Sequence, residues 1–155
     1  MIQKNLAHVA LHTNFDRTHL NHWVAEKVLG WQVEESGGYA LRAVVDQPFD
    51  VFAKEVQSKL GLENLQLVKA SDHVHTAALV TGSGMSLLDE TACDCFLTGD
   101  IKYHDAMAAK SRGISLIDIT HYHSERFFGT IAATELRPYP LDVIIVDPHD
   151  PFSTI

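Results

Sequence analysis

Gly113-Ile-Ser-Leu-Ile-Asp-Ile-Thr-His-Tyr-His-Ser-Glu125 decides how this chain folds. The apolar run Ile114–Ile119 has the length and composition of a buried strand. It ends abruptly in Thr120-His121-Tyr122-His123-Ser124-Glu125. Solvated loops draw mainly on Gly, Asn, Asp and Ser. Two imidazoles beside a carboxylate are instead a ligand set or an acid/base set.

Working outward, the preceding segment Ile101–Arg112 reads as a helix, with Gly113 as its stop. His121–Glu135 reads as the start of another helix, and Val143–Val146 as a final strand. Upstream, Cys95–Thr98 is a short strand. Gly82-Ser83-Gly84 is a loop into a helix at Met85–Ala92. Leu65–Ala70 and Val74–Thr81 are two strands around a Ser-Asp turn. Pro48–Leu60 is helical, with Pro near its first turn and Gly61 at its end. Tyr39–Val45 is a strand after the Gly37-Gly38 turn. Thr18–Leu29 carries Leu20, Trp23, Val24 and Val28 at helical spacing, closed by Gly30. Leu6–Leu11 is a short apolar strand. Strands alternating with helical segments make an α/β protein.

At 155 residues the chain is expected to be one domain, and its 46% hydrophobic content supplies a packed core. No apolar run approaches the ~18–20 residues of a membrane span. The N-terminus lacks a basic stretch followed by a long apolar one, so a secretory signal is not expected and the cytoplasm is. A net charge of −8 without any Lys/Arg cluster disfavours nucleic acid as a bulk partner, because phosphate neutralisation drives such binding. A single nucleotide stays compatible. Cys93 and Cys95 read as small buried side chains in a reducing compartment; half a zinc site would need a second cysteine pair. Histidine is abundant, at 10 residues. His73 and His75 alternate at the start of a strand and read as its outer face.

Two strand ends share one chemistry. Leu6–Leu11 runs into His12-Thr-Asn-Phe-Asp16, and the strand at Ile114–Ile119 runs into His121-Tyr-His-Ser-Glu125. Each is H-x-x-x-carboxylate, and residues four apart share a helical face. In α/β sheets, ligands sit beyond the carboxyl ends of strands. If the two strands are neighbours, His12, Asp16, His121 and Glu125 converge. Such a nitrogen and oxygen set without thiolate suits Zn, Mn, Fe or Ni. A third strand, Cys95–Thr98, ends in Gly99-Asp100, with His104 four residues on. Asp100 reads as the N-cap of the helix starting at Ile101, a role that does not exclude facing the site. The N–H groups of Gly82-Ser83-Gly84 either hold a phosphate or belong to a plain tight turn.

HTNFD, VTGSGMSLL, FLTGDIKYHDA and GISLIDITHYHSE, in this order, resemble the GTP cyclohydrolase I type 2 homolog family, also called Nif-three-like. The resemblance covers nearly the whole chain. It implies an α/β fold in two lobes, with a dinuclear metal site between them, and a ring-shaped homo-oligomer. By resemblance Asp16, His121 and Glu125 match the metal ligands, and His12 matches a ligand or its near neighbour. Asp100 and His104 match a motif bordering the cleft. Family members are longer at the N-terminus, where a histidine pair completes the site. The resemblance therefore implies the C-terminal portion of such a protein, with a truncated first lobe and one metal or none. The lobes would be residues 1–31 with 114–155, and an inserted 32–113.

The family name implies opening of the GTP imidazole ring by water attack at C8, giving formate and dihydroneopterin triphosphate. His104 or His123 would be the acid/base group. Gly82, Ser83, Gly84 and Asp100 would contact the nucleotide. The alternative is a non-enzymatic metal-binding or protein-interaction scaffold.

Overall fold

The computed structural model describes residues 6–34, 38–146 and 149–153. Its first helix is built on the apolar spacing noted above. It opens as α-helix at Thr13–Phe15 and continues through wider π-type turns at Asp16–Leu20 and Trp23–Val28, together α1. Leu20, Val24, Ala25 and Leu29 on it are buried. Gly30, at φ +71°, ends it as a left-handed stop.

The elements that follow are β1 (Val33–Glu34), β2 (Leu41–Pro48), α2 (Phe49–Leu60), β3 (Gln66–Val68) and β4 (His73–Leu79). A 3₁₀ helix at Met85–Glu90 leads to β5 (Cys95–Thr98), α3 (Tyr103–Ser111), β6 (Ser115–Asp118), α4 (His121–Glu125) and α5 (Phe128–Leu136). One six-stranded sheet runs in the order β1-β2-β4-β5-β6-β3. The central strands β4, β5 and β6 are parallel, and the flanking pairs are antiparallel.

Parallel strands covered on both faces read as continuous apolar runs. All four residues of β5 are buried. Alternation sorts their side chains. Cys95, Leu97, Ile117 and Ile119 meet Phe49, Phe52, Val56 and Leu60 of α2, together with Val24 and Leu29 of α1. Phe96, Leu116 and Ala78 turn the other way, onto Leu88 and Ala109 of α3. Phe49 and Phe52 are fully buried, and removing either ring would cost about 3–5 kcal/mol.

Several expectations change. Leu6–Leu11 and Val143–Val146 are not strands; their apolar side chains are exposed, with Val9 79% and Ile144 88% accessible. A strand needs a neighbour for its backbone groups, and among the described residues neither segment has one in the sheet. The Ser-Asp turn does not close a hairpin either. β3 pairs with β6 instead, and Ser115 Oγ accepts from the amides of Ala70 and Ser71 at 3.1 and 3.3 Å. The helix expected from Ile101 begins at Tyr103, and that expected over His121–Glu135 breaks at Arg126 and Phe127. β6, which follows the boundary expected between residues 113 and 114, hydrogen-bonds both β5 and β3. The Gly37-Gly38 turn lies partly outside the described residues. Among the described residues no helix is long and apolar enough to cross a membrane.

Candidate metal centre at the strand ends

Thr98 on β5 is in register with Asp118 on β6, so the two strands end side by side. Beyond them the backbone has little room. A Cβ on Gly99 would lie 2.6 Å from the His121 nitrogen, so only glycine lets the two turns touch. Gly82, beyond the end of β4, has φ +65°, and a Cβ there would collide with the Glu125 carboxylate. Asp100 and Thr120 take positive φ, +57° and +55°, without being glycine. This conformation costs about 1–2 kcal/mol and collects at functional sites. Asp118 holds it in place: its carboxylate accepts from the amides of Thr120, at 2.9 Å, and Ile101, at 3.3 Å. Thr120 then caps α4, its hydroxyl accepting from the His123 amide at 3.2 Å.

The His121 ring is held between two carboxylates. Its Nδ1 lies 2.7 Å from Asp100 Oδ2 and its Nε2 lies 3.2 Å from Glu125 Oε1. α1 carries Asp16, whose Oδ2 accepts from the Tyr39 hydroxyl at 3.4 Å. Tyr39 also donates to the Thr13 carbonyl at 3.2 Å. Asp16 and His12 are near enough for their charges to act on Glu125.

Burial pushes the Glu125 carboxyl up, and the Asp16 charge adds to it; His121 and His12 oppose. The hydrogen bond to Asp100 raises the His121 imidazole, with Glu125 assisting against burial. His123, two residues on, moves the other way: burial and then Arg126 lower it. The Tyr39 phenol is pushed up to about 12 by burial first and by Asp16 next. An open cleft of about 1390 Å³ lies alongside, lined by Asp100, His121, His123, Glu125, Arg126 and Phe128 among others.

The expected residues therefore divide. His121 and Glu125 face one another at 3.2 Å, with Asp16 and His12 within electrostatic reach of Glu125. Asp100 is not a helix cap, since the helix starts three residues later, and its carboxylate turns to His121 instead. That start also removes the shared helical face expected for Asp100 and His104. His104 is exposed on α3, its ring edge-on to Tyr103 with centroids 5.6 Å apart. His123 lines the cleft, its Nδ1 2.8 Å from the Thr120 hydroxyl. The amides of Gly82 and Gly84 are engaged inside the fold, donating to Ser124 Oγ at 2.9 Å and Thr98 Oγ1 at 2.7 Å. Ser83 lies exposed between them. Tyr39, Asp118, Ser124 and Arg126 were not expected here. Arg126 could have been noticed beside Glu125; Tyr39 depends on long-range packing.

The donor set fits a divalent cation. Two carboxylates facing one another raise a carboxyl pKa, and a bound cation reverses that repulsion. The ligand atoms are nevertheless spread. Among the described residues, the group of three whose ligand atoms all lie within 4.8 Å of one another is elsewhere: Asp46, His73 and His75.

Comparison with known proteins places the chain in a family. The model of Duf34/NIF3 (NGG1p interacting factor 3) matches residues 1–151. The chain is 42% identical to GTP cyclohydrolase 1 type 2 of Helicobacter pylori strain 26695, over all of this chain and 65% of that protein. It is 38% identical to the GTP cyclohydrolase 1 type 2 homolog of Campylobacter jejuni, over 99% of this chain and 64% of that protein. Thus it spans about two thirds of the length of these relatives. The crystal structure of Staphylococcus aureus protein SA1388 shares the fold, with a TM-score of 0.77 at 24% identity over 99% of this chain and 71% of that one. On a family match across nearly its whole length, and with the α/β fold of its relatives, the chain belongs to the Duf34/NIF3 family.

Proposed function

We propose that the strand-end cleft is the hydrolytic centre of a metal-dependent hydrolase, with GTP as the candidate substrate. The observation that carries this reading is the convergence of His121, Glu125 and Asp100 at the ends of adjacent parallel strands, with Asp16 of α1 within electrostatic reach of Glu125, beside a cleft roomy enough for a nucleotide. The names of the Helicobacter and Campylobacter relatives supply the candidate substrate.

Asp16, His121 and Glu125 would hold the divalent ion, with His12 as a fourth donor. Such an ion supplies Lewis acidity and water of lowered pKa. Asp100 orients His121 through Nδ1, which leaves Nε2 for the site. His123 stays neutral near pH 7, because its pKa is lowered, and so can accept a proton. In that role His123 carries its ring proton on Nδ1, where the Thr120 hydroxyl oxygen accepts it at 2.8 Å, and its Nε2 lone pair is free. Arg126, also lining the cleft, offers a cation to a phosphate. In net terms one water is consumed: C8 leaves as formate and the remaining atoms close to dihydroneopterin triphosphate. His104, on the exposed face of α3, has less support than His123 for the acid/base role.

One observation favours a second reading, a non-enzymatic metal-binding or interaction scaffold. The Gly82 and Gly84 amides are already engaged, so that loop offers fewer donors to a nucleotide. Assembly as a ring-shaped homo-oligomer belongs to either reading and is supported by the exposed apolar side chains Val9, Ile144 and Val146. Light scattering showing a monomer at tens of micromolar would remove that element. The two functions separate by elemental analysis of dialysed protein, followed by a fluorescence assay for pterin from GTP. The hydrolase reading expects retained metal and a fluorescent product. Retained metal with no product leaves the scaffold.

A further inference from the structure

We propose that Asp46, His73 and His75 form a second, peripheral site for a divalent first-row transition ion, with Zn²⁺ the best suited. β4 opens His73-Val74-His75, and Val74 is completely buried. Strand alternation therefore turns both imidazoles to the opposite face. Their ring centroids are 4.6 Å apart. Across from them, the pairing of β2 with β4 jumps from Val44↔Thr76 to Gln47↔Val74. Two residues, Val45 and Asp46, thus stand opposite His75, which is a β-bulge.

The bulge aims a carboxylate. Asp46 takes φ +43°, a left-handed conformation that side chains other than Asn and Asp rarely adopt. Its Oδ1 lies 3.0 Å from His73 Nε2 and 2.8 Å from His75 Nδ1. One oxygen thereby meets both imidazoles, and all three ligand atoms lie within 4.8 Å of one another. Bonds of 2.0–2.1 Å at tetrahedral angles need ligand atoms about 3.3 Å apart. Binding would draw the three side chains to that spacing by rotation. The remaining positions face solvent and would be filled by water. Two imidazoles and one carboxylate select Zn²⁺, Ni²⁺, Co²⁺ or Cu²⁺ over Mg²⁺ and Ca²⁺, which prefer all-oxygen sites.

This site begins β4, whereas the strand-end cleft lies beyond the ends of β4, β5 and β6. It is independent of the proposed hydrolase, and a bound ion would clip the bulge of β2 onto β4. The test is calorimetric titration of metal-stripped chain with Zn²⁺, comparing unmodified protein with His75→Gln and Asp46→Asn. Each variant is expected to lose one Zn²⁺ equivalent, or to bind it at least ~10-fold more weakly, while keeping its circular dichroism. Identical isotherms in all three proteins would overturn the proposal. Should a variant fail to fold, the ring ¹⁵N shifts of His73 and His75 in unmodified protein decide. Movement of both with Zn²⁺ supports the site, and unmoved signals overturn it, whatever the His121 signal does.

Discussion

The two ends of β4 carry the same chemistry built in two ways. Beyond its end, His121 and Glu125 sit four apart on α4 and meet by local helical geometry, at 3.2 Å. At its start, Asp46 meets His73 and His75 across 27 and 29 residues of chain, through sheet register and a bulge. The first cluster adjoins a cleft and is partly exposed, and its charges act on one another. The second is open to water and gathers its ligand atoms more closely. Proximity of donors and suitability for catalysis are thus separate properties. The strand-end cluster has partial burial, a cleft and histidines shifted in opposite directions; the bulge cluster has compactness alone.

The harshest way to break this comparison is through the sheet that joins the clusters. Ile117, fully buried on β6, packs under α2. Ile117→Ala should cost about 2–5 kcal/mol in urea denaturation and weaken metal binding at both ends. Metal loss confined to one end at full stability would show that the clusters do not share a scaffold.

Gly82→Ala separates them. A Cβ at φ +65° should cost roughly 1–2 kcal/mol and drive Glu125 from His121. Metal at the strand-end centre should fall while Zn²⁺ at Asp46, His73 and His75 persists. Unchanged binding at the strand ends would mean that the loop relaxes without consequence.

A smaller effect comes from pH. The Tyr39 phenol, ordinarily near 10, is pushed up to about 12 in the folded chain. Between these values the folded state keeps a proton that the unfolded state has lost, so stability falls as pH rises from 10 through 12. Tyr39→Phe should flatten that part of the fall, measured as midpoint against pH. An identical slope in the variant would detach Tyr39 from Asp16.

The mildest test leaves the protein intact. In metal-free chain, imidazole NMR should show His121 titrating above its ordinary value and His123 below it. His121 then contributes stability that is fully present below about 6.5 and is lost as pH rises through its higher folded value. Coincident titrations would remove the acid/base distinction between them.

What could be read in the sequence was whatever sits close along the chain. The strand Ile114–Ile119 and the H-x-x-x-E turn after it were legible because spacing determines which side chains share a face. Gly30 and Gly61 were legible because a left-handed stop calls for glycine. Asp46 was not, since a bulge depends on which strand lies opposite. The pairing of β3 with β6 rather than β4 was hidden for the same reason. Leu6–Leu11 and Val143–Val146 have the composition of strands, but composition says nothing about whether a neighbour exists. Asp100 was legible as a polar group at a strand end; its choice of His121 over a helix amide follows from a positive φ that spacing does not reveal.

The role of Glu125 decides the central claim. Glutamine is nearly isosteric and uncharged, so Glu125→Gln removes a ligand charge with little change in shape. The measurement is metal content after dialysis together with the thermal midpoint, made in the His75→Gln background so that the second site does not contribute. A metal centre at the strand ends predicts affinity lowered by at least ~10–100-fold with the midpoint nearly unchanged. Unchanged metal content with a midpoint lowered by the equivalent of about 0.2–0.5 kcal/mol, the worth of an i,i+4 pair with His121, would make Glu125 a helix residue only and contradict the claim.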